Sequence, residues 1–265
     1  MQLSPDSFAR ICDTLYQVSG IKLEAGKEEL VKARLVKILN KLDLEDFESY
    51  LELVKRDTTG LELKRMVDVL TTNKTSFFRE NEHFVYLRKQ IAPALASASG
   101  PLRIWCAGCS SGEEAYTLSM VLGDCLPAGR LAQLQILATD ISERVLATAR
   151  AAEYPAELAA ELPEDVRRRL FEKLPGEKLR VRAELRKRIS FARLNLMGPW
   201  PMRGPFDAIF CRNVMIYFDK PTQESLVNRY HALIRPGGHM FVSRTESLAG
   251  VQHPFEYVEP GVYRR

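Results

Sequence analysis

Apolar residues recur at helical spacing through residues 5–70: Phe8, Ile11, Leu15 and Val18; Leu30, Leu35, Ile38 and Leu39; Phe47, Tyr50, Leu51 and Val54; Leu63, Met66, Val67 and Leu70. Several short amphipathic helices, and hence a small all-α N-terminal domain over 1–70, are predicted. Residues 71–100 read as a linker and helix leading into a second region. From residue 102 short apolar runs alternate with amphipathic ones: strand 102–106, helix 112–124, strand 134–139, helix 142–151. That alternation predicts an α/β domain over 101–265, a parallel sheet covered by helices. Later strands are expected at 206–210, 239–243, 255–258 and 261–264, with a helix around 220–234 ending at Pro236-Gly237-Gly238. Leu179–Val181 and Ile189–Leu194 alternate apolar with charged residues. They predict a small antiparallel ribbon, inserted at about 153–193.

Composition narrows the class. With 265 residues, 46% of them hydrophobic, the chain can bury a sizeable core. The N-terminus carries no signal-peptide core and no run approaches the roughly 18 apolar residues of a membrane span, so a cytoplasmic protein, not inserted in a membrane, is expected. The five cysteines (12, 106, 109, 125 and 211) have no framework spacing, which fits reduced thiols. The net charge of +4 is unevenly placed: residues 161–188 hold 10 basic and 6 acidic side chains, whereas 1–70 hold 11 and 13. Within the second helical block Lys27, Arg34, Lys37 and Lys41 lie close to one face, a candidate cationic ridge. No aromatic pattern is interleaved with the arginines, so an acidic partner is expected rather than nucleic acid.

The chemistry concentrates in Leu102–Thr117, which reads as buried strand, glycine-bracketed turn and helix. Three readings share its letters. GCSSG at 108–112 matches the G-x-S-x-G nucleophile elbow, with His231, His239 and His253 as available bases. Cys106 and Cys109 make a C-x-x-C, though no second pair completes a zinc site and no metal is expected. In the third reading Gly108 and Gly112 let the backbone approach a ligand at the helix opened by Glu113 and Glu114. This reading gains support at a distance. Asp140 ends the neighbouring strand, 28 residues after Gly112, where an acid would grip a ribose. Arg212 and Asn213 follow the strand at 206–210. Three strand tips thus offer polar groups at one sheet edge.

Four segments together resemble the chemotaxis receptor methyltransferases of the CheR family: LTTNKTSFFRE (70–80), WCAGCSSGEEAYTL (105–118), FDAIFCRNVMIYFD (206–219) and LIRPGGHMFVSRTESL (233–248). The resemblance covers nearly the whole chain. It implies a class I S-adenosylmethionine-dependent methyltransferase (Rossmann-like) domain, with the small all-α N-terminal domain and an inserted antiparallel β-subdomain. It further implies methyl transfer from S-adenosyl-L-methionine to glutamate carboxylates on the cytoplasmic helical bundle of chemoreceptors, leaving S-adenosyl-L-homocysteine.

Carried onto this sequence, the family's cofactor contacts fall on Asn73, Thr75, Arg79, Gly108, Glu114, Asp140, Asn195, Leu196, Arg212 and Asn213. In that scheme Glu114 pairs with the cofactor's ammonium, Asp140 takes the ribose and the backbone at Leu196 reads the adenine edge. Arg79 and Tyr217 fall on the catalytic, substrate-facing positions. The insert around Phe171–Lys178 is about three residues shorter than in members that dock on a receptor's C-terminal pentapeptide. Pentapeptide-independent action is therefore expected, and separately a monomer is expected. The rivals are a methyltransferase of the same fold acting on another protein or on nucleic acid, a non-catalytic module, and a G-x-S-x-G hydrolase. The nucleic-acid enzymes place an N-P-P-Y-like turn where this chain has Arg212-Asn-Val-Met215.

Overall fold

The computed structural model describes residues 1–265. Helix α1 (Pro5–Ser19) begins where the Ser4 side chain accepts the Ser7 N–H and proline occupies the first turn, and it stops at Gly20, which is left-handed. Helices α2 (Glu28–Lys41), α3 (Phe47–Arg56, capped by Asp46) and α4 (Leu61–Leu70) complete the N-terminal bundle. Ile11, Leu15, Leu35, Leu39, Tyr50 and Met66 are fully buried at its centre, at the spacings read from the sequence. Truncating one of them, as in Leu35→Ala, costs about 2–5 kcal/mol, a large share of such a small core.

A loop over 71–81 leads to a helical stretch formed by α5 (Glu82–Tyr86), a π turn (Leu87–Ile91) and α6 (Ala92–Ser97). The α/β domain then runs β1 (Leu102–Ala107), α7 (Glu113–Cys125), α8 (Ala128–Leu131), β2 (Leu134–Asp140) and α9 (Glu143–Ala151). Next come β3 (Glu153–Pro155), α10 (Glu164–Leu170), β4 (Phe171–Leu174), β5 (Lys178–Val181), α11 (Ala183–Arg186) and β6 (Ile189–Arg193). The chain ends with β7 (Phe206–Phe210), α12 (Lys220–Leu233), β8 (Ile234–Phe241), β9 (Glu256–Glu259) and β10 (Val262–Arg264).

The main sheet has seven strands in the order β6-β2-β1-β7-β8-β10-β9. Strands β6, β2, β1, β7 and β8 are parallel, and β10 and β9 close one edge antiparallel. Along β1 successive side chains alternate between faces: Leu102, Ile104 and Cys106 join one core, Trp105 and Ala107 the other. From β1 the chain moves outward to β2 on one side and later returns as β7 on the other. The carboxyl ends of β1 and β7 therefore form the switch point at which an open sheet leaves a crevice.

Two expectations need correction. Ile189–Leu194 was expected in the inserted ribbon, yet β6 pairs with β2, Ile136 to Ile189 through Asp140 to Arg193, as the edge of the main sheet. An edge strand half exposed to water carries the same alternation as a ribbon, so periodicity alone does not separate them. The insert's own sheet has three strands in the order β3-β5-β4 and ends at Val181. It packs on α7 through Tyr116, Met120, Tyr154 and Phe171. Second, α12 ends at Leu233, before Pro236, and the Pro-Gly-Gly lies inside β8, where the pairing with β7 shifts register.

Candidate functional site

At the switch point lies a cavity of about 1110 Å³, counted out to its open mouth. Every residue singled out for cofactor or catalysis lines it: Asn73, Thr75, Arg79, Gly108, Glu114, Asp140, Asn195, Leu196, Arg212, Asn213 and Tyr217. Ser19, Ile21 and Leu23 of the N-terminal domain also line it.

The turn after β1 is shaped by its glycines. Gly108 has φ +90°, and a Cβ there would stand 2.4 Å from Val214 Cγ2, so its missing side chain lets the loop after β7 come close rather than a ligand. Gly112 has φ +99° and caps α7; a Cβ there would be 3.0 Å from Ala149 Cβ. Between them Ser110, at φ +48°, donates its N–H to Asp140 Oδ2 at 2.8 Å and its hydroxyl to the carbonyl of Asn73 at 3.0 Å. Asp140 takes a second N–H from Ser142 at 3.0 Å on Oδ1. These bonds leave each oxygen with acceptor capacity toward the cavity. Burial nonetheless pushes the Asp140 carboxyl above the ordinary carboxylate range.

Glu114, in the first turn of α7, is gripped from both sides. Its Oε2 accepts Arg212 Nη1 at 2.8 Å, and the Cys106 thiol donates to Oε1 at 2.8 Å. Arg212, read from the sequence as a cofactor contact, is only 1% exposed at its side chain. It spends its guanidinium on Glu114, on Glu80 at 3.3 Å and on the carbonyl of Arg79, so it stands behind Glu114 and orients it. Asn195, expected beside the adenine, lines the cavity and is also tied to the N-terminal domain. Its amide nitrogen donates to the carbonyl of Val18 at 2.6 Å, so the side chain fastens the N-terminal domain. The carbonyl of its neighbour Leu196 accepts from Arg229 at 2.7 Å and Trp200 at 3.1 Å, with Arg229 stacked on Trp200, and this fixes the turn beside the cavity.

The opposite wall is the 71–80 loop facing the loop after β7. Phe77 wedges between Tyr154 and Phe171, ring centroids 5.1 and 5.0 Å away, and pins the first loop to the insert. Arg79 donates Nη1 to the carbonyl of Lys74 at 2.7 Å, leaving the rest of its guanidinium for the cavity. Tyr217 is half-buried with its hydroxyl 3.5 Å from the carbonyl of Thr72, and burial raises its phenol above the usual value. Two acids not singled out from the sequence hold this wall. Glu80 accepts from the Ser243 hydroxyl at 2.8 Å, Arg244 N at 2.9 Å and Asn213 Nδ2 at 3.3 Å. These contacts hold its carboxyl down to about 2 against the cost of burial. Glu246 meets backbone N–H groups of the loop after β7. Both acids sit in the segments that carried the family resemblance. Their long-range partners have no signature in spacing.

The rival readings of the turn lose their geometry. The Ser110 hydroxyl points to a backbone carbonyl rather than a histidine. Cys106 and Cys109 are buried free thiols whose pKa burial drives well upward, the opposite of a reactive pair. On the α2 ridge Arg34 is withdrawn. It donates to the carbonyls of Leu70 and Thr71 at 2.7 and 3.1 Å and to the Thr72 hydroxyl at 3.3 Å, leaving Lys27, Lys37 and Lys41 exposed.

Comparison with known proteins agrees with this architecture. The family model described as CheR methyltransferase, all-alpha domain, matches residues 6–71, and that described as CheR methyltransferase, SAM binding domain, matches residues 73–263. The chain belongs to the CheR methyltransferase family. A chemotaxis protein methyltransferase of Klebsiella aerogenes is 41% identical, covering 96% of this chain and 88% of that one. One from Escherichia coli is 38% identical over 99% and 92%, and one from Borreliella burgdorferi 35% identical over 100% and 96%. The protein is accordingly an S-adenosylmethionine-dependent methyltransferase of the chemotaxis class. Its cavity suits that cofactor: an acid with free acceptor capacity at the β2 tip suits a ribose, and a fixed carboxylate on α7 suits an ammonium. No helix is long and apolar enough to cross a membrane.

Proposed function

We propose that this enzyme methylates glutamate side chains on the cytoplasmic helical bundle of chemoreceptors. The observation that carries the reading is the placement of Arg79 and Tyr217 on the loop wall of the same cavity whose strand-tip wall presents Glu114 and Asp140. Asp140 and Glu114 would hold the cofactor, which when bound supplies an electrophilic methyl group on a sulfonium. A glutamate carboxylate, with a reference pKa near ~4.3, is already an anion at neutral pH, so no general base is required. What remains for the protein is to align the attacking oxygen and keep water out.

Arg79 suits that task because one of its terminal nitrogens is tied to Lys74. A bidentate grip on both carboxylate oxygens would stabilise the ground-state anion, so the contact proposed for Arg79 is with a single oxygen. The Tyr217 hydroxyl, bonded only weakly to Thr72, is placed to assist. Lys27, Lys37 and Lys41 give the N-terminal domain an exposed cationic face for an acidic receptor helix. Much of the basic excess of the insert is internally satisfied, with Arg169 on Asp124 and Asp165 and Arg180 on Glu153.

The β4–β5 connection spans only Pro175, Gly176 and Glu177, with the last two left-handed, and supports action without a receptor pentapeptide. Incubation with methyl-labelled cofactor and receptor-bearing membranes tests the reading. Label is expected as base-labile methyl esters on the receptor, equally on receptors lacking the C-terminal pentapeptide. Base-stable label, or label on nucleic acid alone, would refute it.

A further inference from the structure

The loop after β7 carries Asn213 and Tyr217 to the cavity, yet it has little regular structure of its own. Asn213 sits at φ +58°, in the left-handed region. Only a short turn at Met215–Tyr217 follows, closed by the bonds from Tyr217 N to Val214 O at 3.2 Å and from Phe218 N to Met215 O at 3.0 Å. The N–H groups of Asn213 and Ile216 point away from the turn, and both end on one side chain.

That side chain is Glu246, which is 7% exposed and lies just beyond β8. Its Oε2 accepts Asn213 N at 2.9 Å and Ser243 N at 2.7 Å, and its Oε1 accepts Ile216 N at 3.1 Å. The bond to Ser243 is local; the other two cross 33 and 30 residues of sequence to reach the loop. Glu80 takes the Asn213 side chain from the other side, so the left-handed residue is fixed at both its backbone and its amide. From the other side the Tyr217 carbonyl accepts Lys22 N at 2.9 Å, and the Gln223 amide donates to the carbonyls of Met215 and Phe218 at 2.8 and 3.0 Å.

We infer that Glu246 is a positioning residue for methyl transfer: its carboxylate, by taking the N–H groups of Asn213 and Ile216, sets where the Tyr217 hydroxyl stands at the cavity. The inference rests on the substrate-side role proposed above for Tyr217. Its physical basis is the acceptor count. A carboxylate offers enough lone pairs for three N–H donors, whereas a glutamine keeps one acceptor oxygen and turns an N–H group toward a backbone N–H it cannot bond. Glu246→Gln therefore frees one end of the loop while leaving Glu114 and Asp140 untouched on the far wall.

The test uses the full chain with Glu246→Gln, Tyr217→Phe and the double variant. Binding of S-adenosylhomocysteine is measured by calorimetry, and Tyr217 is followed by NMR of ring-labelled tyrosine, with its resonance assigned by its loss in Tyr217→Phe. For Glu246→Gln, product affinity is expected within about threefold of wild type and turnover down about tenfold or more. In the Tyr217→Phe background the same change should cost less than about twofold, because the group it positions is already gone. The Tyr217 resonance should move toward those of exposed tyrosines and begin to titrate at lower pH. Equal costs in both backgrounds, joint loss of affinity and turnover, or an unmoved resonance would overturn the inference. If Glu246→Gln fails to fold, as read by its circular dichroism and melting curve, Glu246→Asp, which keeps the charge but shortens the reach, carries the same comparison. The NMR arm needs no receptor, so failure of the proposed substrate and failure of this inference are read separately.

Discussion

Glu114 and Asp140 stand on the first turn of α7 and the tip of β2, so the sheet and its helices place them directly. Across the cavity Arg79, Asn213 and Tyr217 stand on loops, and what places them is a set of side chains behind the wall: buried Phe77 in its aromatic slot, half-buried Glu80 and buried Glu246 on backbone N–H groups. The loop wall also carries three non-glycine residues in the left-handed region, Phe78, Glu80 and Asn213. Such conformations persist only where surrounding bonds over-determine them. The difference suggests a division of labour. On the proposed reading the strand-tip wall would hold the cofactor through Glu114 and Asp140, and the loop wall, which also carries the expected cofactor contacts Asn73, Thr75 and Asn213, would meet the protein-borne acceptor.

The largest expected effect is on the rigid wall. In Asp140→Asn, the amide must turn an N–H group toward either Ser110 N or Ser142 N, while the ribose acceptor weakens. Affinity for S-adenosylhomocysteine should fall on the order of a hundredfold, read by calorimetry. A loss of less than about threefold would place the ribose elsewhere.

A smaller effect is expected where the N-terminal domain meets the loop wall. Arg34→Met removes the donors that hold the carbonyls of Leu70 and Thr71. It should cost about 1–3 kcal/mol in thermal unfolding and reduce turnover more than product affinity. If affinity falls instead, the 71–80 loop belongs functionally to the cofactor wall, and the contrast between the walls is lost.

The smallest effect is a pH dependence behind the loop wall. His83 is fully buried, and burial, with the Arg212 charge in second place, lowers its pKa from 6.5 to about 4. As pH falls through 6.5 the unfolded chain takes a proton that the folded chain refuses, so stability should fall between about 6.5 and 4. His239, also lowered to about 4, adds to the slope. Melting curves across that window should show a shallower decline for His83→Asn than for wild type. An identical slope would mean that His83 is charged in the fold.

How much of this was legible in the chain follows the same contrast. Helical spacing in residues 5–70 and the strand–helix alternation after 102 report local burial, and both match the elements found. Acids at strand tips are visible because the sheet itself determines where a strand ends. The register of an edge strand such as β6 is not visible, because half-exposed alternation is common to ribbons and sheet edges. Nor are the roles of Arg212, Asn195, Glu80 and Glu246, whose partners lie far away in sequence and are chosen by tertiary packing. Type and position mark Arg212 and Asn195 as polar residues near a site, and they single out neither Glu80 nor Glu246. Only the folded chain shows which face the cavity and which hold the others.

Arg79 decides whether the two walls differ, because a residue that served both cofactor and acceptor would erase the distinction. The direct measurement is Arg79→Ala, with product affinity by calorimetry set beside methyl transfer to receptor-bearing membranes. Affinity is expected within about threefold of wild type, with a loss of turnover of a hundredfold or so. Equal losses in the two would contradict that expectation and make Arg79 a cofactor ligand alone.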